Sequence, residues 1–214
     1  MTKSPPKATT RGRLVAAAER LFAEKGVVGA SLRDITAAAD ANLAAVNYHF
    51  GSKEGLLRAV LEARLGPINQ GRLELLDQLG DGPNLTVEAL LDAFIRPAVD
   101  PRMKPSESFI QLMARIHHTD DPVTAEVLND LFGPVAARYL GALSELLPTI
   151  PRDLLFQRMQ FVIGAMIHSL FTKCDHNCQI LTPPIAKLDD EAYLAEFVSF
   201  CAAGLRHAPQ SHNG

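Results

Sequence analysis

The chain has 214 residues, 47% of them hydrophobic and 21% charged, with three cysteines and a formal net charge of −3. That length suits one large or two modest domains and excludes an extended multi-domain machine, while the ordinary balance of apolar and charged residues excludes wholesale disorder and a coiled-coil fibre. An odd cysteine count does not make a disulfide framework, so a reducing compartment is expected and folding rests on burial.

In chain order, residues 1–8 read as a flexible polar arm, and the opening MTKSPPKATTRG lacks the apolar run of a secretory signal. The most apolar stretch, Phe161 to Phe171, is interrupted by His168 and falls short of the about 20 residues needed to cross a bilayer, so a cytoplasmic protein with no membrane partner is expected. Charge is uneven. Residues 1–53 carry eight Lys/Arg against four Asp/Glu, and the remainder carries 13 against 20. A small basic module that meets a polyanion, joined to an acidic one that avoids it, fits this asymmetry.

Periodicity is helical throughout, and the predicted fold is all-α. A first helix runs from about Thr10 to Lys25, with Leu14, Ala17, Ala18, Leu21 and Phe22 on one face and Gly26 as its C-terminal cap. Ser31 and Asp34 start a short second helix, Leu32 to Ala39. Asp40 and Ala41 make a tight turn, and Asn42 caps a third helix, Leu43 to Tyr48. Ser52 caps a fourth, whose apolar face is Leu56, Leu57, Val60 and Leu61. Gly66 and Pro67 then break the pattern. Further helices are expected near 69–79, 85–99, 106–117, 122–147 (kinked at Gly133 and Pro134), 151–172 and 189–206, with a loop from Lys173 to Leu188.

Two short helices joined by a tight turn and packed on a longer one are the arrangement that presents a helix to the DNA major groove. The third helix offers suitable residue types. Asn42 and Asn47 carry amides that match an adenine edge, and Ala44 and Ala45 allow close approach to a thymine methyl. Tyr48, His49 and Lys53 are phosphate donors, Lys53 at a helix start whose dipole attracts an anion. Ser31 and Arg33 join this set from the second helix, and Arg11 and Arg13 add positive charge. The alternatives are structural: Tyr48 packing over the first helix, His49 capping carbonyls, Leu43, Val46 and Phe50 in the core, Arg11 and Arg13 on a solvated face.

The segments AAAERLFAEKG, SLRDITAAAD and NLAAVNYHFGSKEGLL, between Thr10 and Leu57, resemble the N-terminal domain of the TetR/AcrR family of bacterial transcriptional regulators. The resemblance implies a homodimer with two helix-turn-helix domains and a larger helical domain that binds a small effector, dimerises through its last two helices and changes DNA affinity. It places recognition-helix positions at Asn42, Leu43, Ala44, Ala45 and Asn47, and phosphate contacts at Tyr48, His49 and Lys53. The turn departs from the family's usual Ala-Gly-Val, with Ala39, Asp40 and Ala41 instead. The expected division is an arm at 1–8, a helix-turn-helix domain at 9–52, a connecting helix at 53–66, a ligand-binding and dimerisation domain at 67–208 and a tail at 209–214.

The form NLAAVNYHFGSK further resembles a branch of the family that senses fatty acids or acyl derivatives. Phe109, Ile110, Met113, Phe132, Met159 and Phe161 offer apolar surface for an alkyl chain, and Arg115, His117 or Arg138 a partner for its carboxylate. No nucleophile motif, phosphate loop or carboxylate pair supports an enzyme, and no cofactor is expected. His117, His118, Asp120 and Asp121 are of metal-ligating types, but they straddle a helix end before Pro122 and read as capping and turn residues. Cys174, His176 and Cys178 form a short cluster for which a metal or thiol sensor is the alternative to an incidental loop, although the paired C-x-x-C elements of a zinc site are absent. The leading expectation is an effector-released repressor, set against a ligand-independent DNA-binding or protein-interaction module.

Overall fold

A side-chain oxygen closes the first turn of nearly every helix. Thr9, Ser31, Asn42, Ser52, Thr86, Ser106, Asp121 and Asp189 each accept a hydrogen bond from the backbone N–H three residues on, at 2.8–3.1 Å. Each such cap satisfies a donor that the helix itself leaves unpaired. The computed structural model describes residues 9–82, 84–100, 106–117, 121–174 and 189–208, without the side chains of 117 and 170–174. Among the described residues the elements are α1 (Thr10–Gly29), α2 (Leu32–Ala38), α3 (Leu43–Phe50), α4 (Lys53–Leu79), α5 (Val87–Val99), α6 (Glu107–His117), α7 (Pro122–Leu146), α8 (Arg152–Cys174) and α9 (Asp190–Arg206).

Two elements differ from the expected pattern. Gly26 takes the expected positive φ, 75°, but the chain then makes one more helical turn to Gly29. The break at Gly66 and Pro67 does not occur, and α4 runs through Pro67. The carbonyl that Pro67 leaves without a partner belongs to Ala63, and both residues are exposed, so water can take the place of the missing N–H. The helix expected at 122–147 forms as α7, with Pro134 inside it. The expected loop at 173–188 lies mostly outside the described residues.

The chain divides into two compact units. One comprises α1 to α3, α4 as far as Gly66, α6 and α7 as far as Leu131. Its core is Leu14, Ala18 and Phe22 of α1, Ile35 of α2, Val46 of α3, and Leu56, Leu57 and Leu61 of α4, all sealed from solvent. Here α6 packs along α1, with Phe109, Leu112 and Ile116 at i, i+3 and i+7 as its buried stripe. A helix expected to belong with the region after residue 67 therefore forms part of the N-terminal unit.

The second unit holds the rest of α4 and α7 with α5, α8 and α9. Its core joins Leu90, Leu91, Phe94 and Ile95 of α5 to Tyr139 and Leu143 of α7, Leu155, Met159 and Val162 of α8, and Val198, Ala202 and Leu205 of α9. No helix among the described residues is long and apolar enough to cross a membrane.

Candidate nucleic-acid interface

The turn between α2 and α3 is built by backbone groups and fastened by one arginine. Asp40 adopts φ 46°, a left-handed conformation that aspartate tolerates better than most residues. The N–H of Ala41 donates to the carbonyl of Thr36 at 2.9 Å. From α1, Arg13 reaches across: its Nε donates to the Ala39 carbonyl at 3.0 Å and its Nη2 to the Asp40 carbonyl at 3.2 Å. These are the carbonyls that the end of α2 exposes, and a cation is well suited to them. Arg11 lies over the Phe50 ring, 5.6 Å from its centroid. Both arginines therefore brace the motif, a role that neither the phosphate reading nor the solvated-face reading contained, because the partners come together only in the folded unit.

The turn angles α3 so that Val46 plugs the core while the opposite side is open to solvent. Asn42, Leu43, Ala44, Asn47, Tyr48 and His49 are exposed, and Ala45 is half-buried. Asn42 spends its amide oxygen on the Ala45 N–H, leaving its NH2 group to face outward. Tyr48 is 85% exposed, so its ring does not pack over α1; it meets His49 edge-on at 4.9 Å between ring centroids. Leu43, expected in the core as well as at a recognition position, is 47% exposed. Leu43 is the first residue of α3, at its N-terminal end, whereas Val46 lies a turn further in.

The flanks add donors. Ser31 caps α2 and Arg33 is exposed beside it. Lys25 pairs with Asp34 at 2.9 Å, a surface pair of little energetic weight. Lys53, at the start of α4, donates through Nζ to the Val28 carbonyl at 3.1 Å, which uses one of its three N–H groups. Gly55 was not singled out from the sequence, yet a Cβ there would lie 2.0 Å from the Phe50 carbonyl oxygen. Equally unforeseen is a buried carboxylate behind the motif. Glu19 of α1 accepts from Arg64 Nε at 2.7 Å and Nη2 at 3.3 Å, and from the Ser106 hydroxyl that also caps α6.

The geometry is a three-helix scaffold presenting one short helix edge-on with amide, phenol, imidazole and ammonium donors. A sequence model described as "Tetracyclin repressor-like, C-terminal domain" matches residues 92–204, more than half of the chain, and one described as "Bacterial regulatory proteins, tetR family" matches residues 14–60. The chain belongs to the TetR family. Regulators of this family act on transcription and are not enzymes. The probable HTH-type transcriptional regulator YttP of Bacillus subtilis is 39% identical over 51 residues, covering 24% of this chain and 25% of that protein. The HTH-type transcriptional repressor NicS of Pseudomonas putida is 35% identical over 72 residues, 34% of each chain. The matched stretches thus span about a quarter to a third of these curated relatives. Among solved structures, the fatty acid degradation regulator FadR from Bacillus halodurans superposes with a TM-score of 0.63 at 17% identity, over 95% of this chain and all of that one. Salmonella enterica GusR gives 0.62 at 18%, over 95% and 98%. These two show that the TetR-family fold is shared.

The residues expected to meet an effector are spread over both units of this TetR-family chain. Phe109 and Ile110 are buried, and Met113 half-buried, on α6, the helix that packs along α1; Arg115 is exposed on the same helix. The His117 side chain lies outside the described residues. In the second unit Met159 is a core residue and Phe132 is half-buried. Phe161 is 72% exposed, and Arg138 is engaged at the surface by Asp77 at 2.6 Å. A groove of about 600 Å³ between the end of α4, α5 and α9 is lined by none of them. His118, Asp120, His176 and Cys178 lie outside the described residues, while Asp121 caps α7. No group of metal-binding side chains occurs among the described residues.

Proposed function

We propose that this TetR-family chain is a homodimeric cytoplasmic repressor that binds a palindromic operator through α3 and is released by a small apolar or amphipathic effector. The observation that carries it is the face of α3, where Asn47, Tyr48 and His49 project into solvent from a helix anchored on its other side by Val46. Exposed amides and ring donors on a short helix suit base edges and phosphates.

Selection from random duplexes should enrich a palindrome with half-sites about 34–36 Å apart. Against that duplex, Lys53→Ala is expected to weaken binding to every sequence and lower the salt slope by about one unit, whereas Asn47→Ala alters base preference with little change in slope. Equal wild-type affinity for all duplexes over a wide salt range overturns the reading.

Dimerisation is proposed through α8 and α9. Leu155, Met159, Val162 and Met166 turn into the unit's own core, while Phe156 and Phe161 of α8 and Phe200 of α9 stand exposed. Large exposed aromatics on adjacent helices are the material of an interface. Phe161→Glu with Phe200→Glu is expected to give a folded monomer by light scattering and to cost the palindrome its advantage over a single half-site. An unchanged dimer mass would place the interface elsewhere. The effector class proposed is a fatty acid or acyl derivative. It must prefer the form that does not bind DNA, since equal affinity for both forms shifts nothing.

A further inference from the structure

Among the described residues Arg72 is the largest fully buried side chain, 1% exposed, on the part of α4 that belongs to the second unit. Arginine is rarely sealed in a core unless a carboxylate accompanies it. Here none does among the described residues. Arg72 Nε donates to the Phe94 carbonyl at 2.7 Å and Nη1 to the Asn69 side-chain oxygen at 3.0 Å, both neutral acceptors. The guanidinium lies 4.0 Å from the Phe94 ring centroid and 5.8 Å from that of Phe132. Tyr139, also sealed, donates its hydroxyl to the Arg72 backbone carbonyl at 2.8 Å. Burial pushes the guanidinium pKa down to about 10, so it remains charged at neutral pH. Two of its five N–H groups are used, and Nη2 makes no hydrogen bond to any described residue. Such a charge costs the core stability, which an apolar side chain of similar length would not. All of these groups lie in one unit, and Phe94 and Tyr139 belong to the apolar core that also includes Met159.

We propose that Arg72 is the anchor for the anionic group of the effector, which is therefore an organic carboxylate, held by the guanidinium fork with its apolar part among Phe94, Phe132 and Met159. The assignment rests on the effector-released reading above and replaces Arg115, His117 and Arg138 as the expected carboxylate partner. A carboxylate meeting the free edge of the fork makes charge-assisted bonds in low dielectric, where they are strongest. The aromatic faces already beside the cation suit a flat ring or an alkyl chain.

The test uses the full chain with benzoate and decanoate, the latter below its micelle concentration, against the neutral benzamide and decanol. Melting and calorimetry read binding, and release of the selected duplex reads function. At least one carboxylate should raise the wild-type melting temperature saturably while its neutral counterpart does not; which one distinguishes an aromatic from an alkyl effector. Arg72→Met should remain cooperatively folded, retain duplex binding, and bind the carboxylate at least about tenfold more weakly. Should that variant fail to fold, Arg72→Lys decides, because it keeps the charge and loses the fork: an unchanged carboxylate affinity overturns the proposal. So does a wild type that responds to neither carboxylate, or equally to the neutral probes. Carboxylate binding that depends on Arg72 without duplex release retains the site and sinks the effector reading instead.

Discussion

Replacing Gly55 by alanine is expected to destabilise the N-terminal unit by roughly 2–3 kcal/mol, at the upper end for an overpacked site, and to abolish selective operator binding. The new Cβ would stand 2.0 Å from the Phe50 carbonyl oxygen and 3.1 Å from its carbon, where real Cβ contacts essentially never fall below 3.0 Å. The obstacle is backbone, so no rotamer change relieves it. Either the first turn of α4 or the last turn of α3 has to move by about an ångström, an amount that matters because positioned groups lose much of their effect over such distances. Phe50 directly follows Asn47, Tyr48 and His49, and Ser52 and Gly51, with φ 74°, complete the tight link. Thermal unfolding and anisotropy titration of the selected duplex measure the two effects separately. A variant that melts with the wild type and binds with its affinity would show that the α3–α4 approach is looser than described.

Arg64→Ala should cost roughly 3 kcal/mol, the low end for breaking a buried pair because Arg64 is itself partly exposed. The asymmetry of the pair makes the argument. The Glu19 side chain is 6% exposed and that of Arg64 41%. Removing the arginine strands a carboxylate in the core with the Ser106 hydroxyl as its remaining partner, whereas Glu19→Gln leaves only a cation that water can reach. Arg64→Ala is therefore expected to be the more damaging single change, and combining it with Glu19→Gln should recover part of the loss. Denaturant unfolding of the four species closes the cycle. Additive losses would mean that the pair carries no coupling. Since Ser106 caps α6, the same cluster ties α1 to α4 and to the helix lying along it, and the double variant tests that tie directly.

What the sequence determined by itself is what depends on near neighbours in the chain. Caps such as Ser31, Asn42, Ser52 and Asp189 announce helix starts because their partners are three residues away. The turn at Asp40 and the outward residues Asn47 and His49 follow from the same short-range logic, as does the buried Val46. Tertiary structure decided whatever needed a distant partner. The stripe of α6 marks an inward face, but periodicity does not say that α1 is what it meets. Leu43 is apolar yet 47% exposed, which its residue type does not announce. Arg13 reads as surface charge until Ala39 and Asp40 are brought to it from 26 and 27 residues away, and Glu19 reads as solvated until Arg64 arrives from 45. Arg72 shows the limit most clearly: composition places arginine outside, and only the packing of Phe94 and Tyr139 around it, 22 and 67 residues distant in the chain, puts a positive charge in the core.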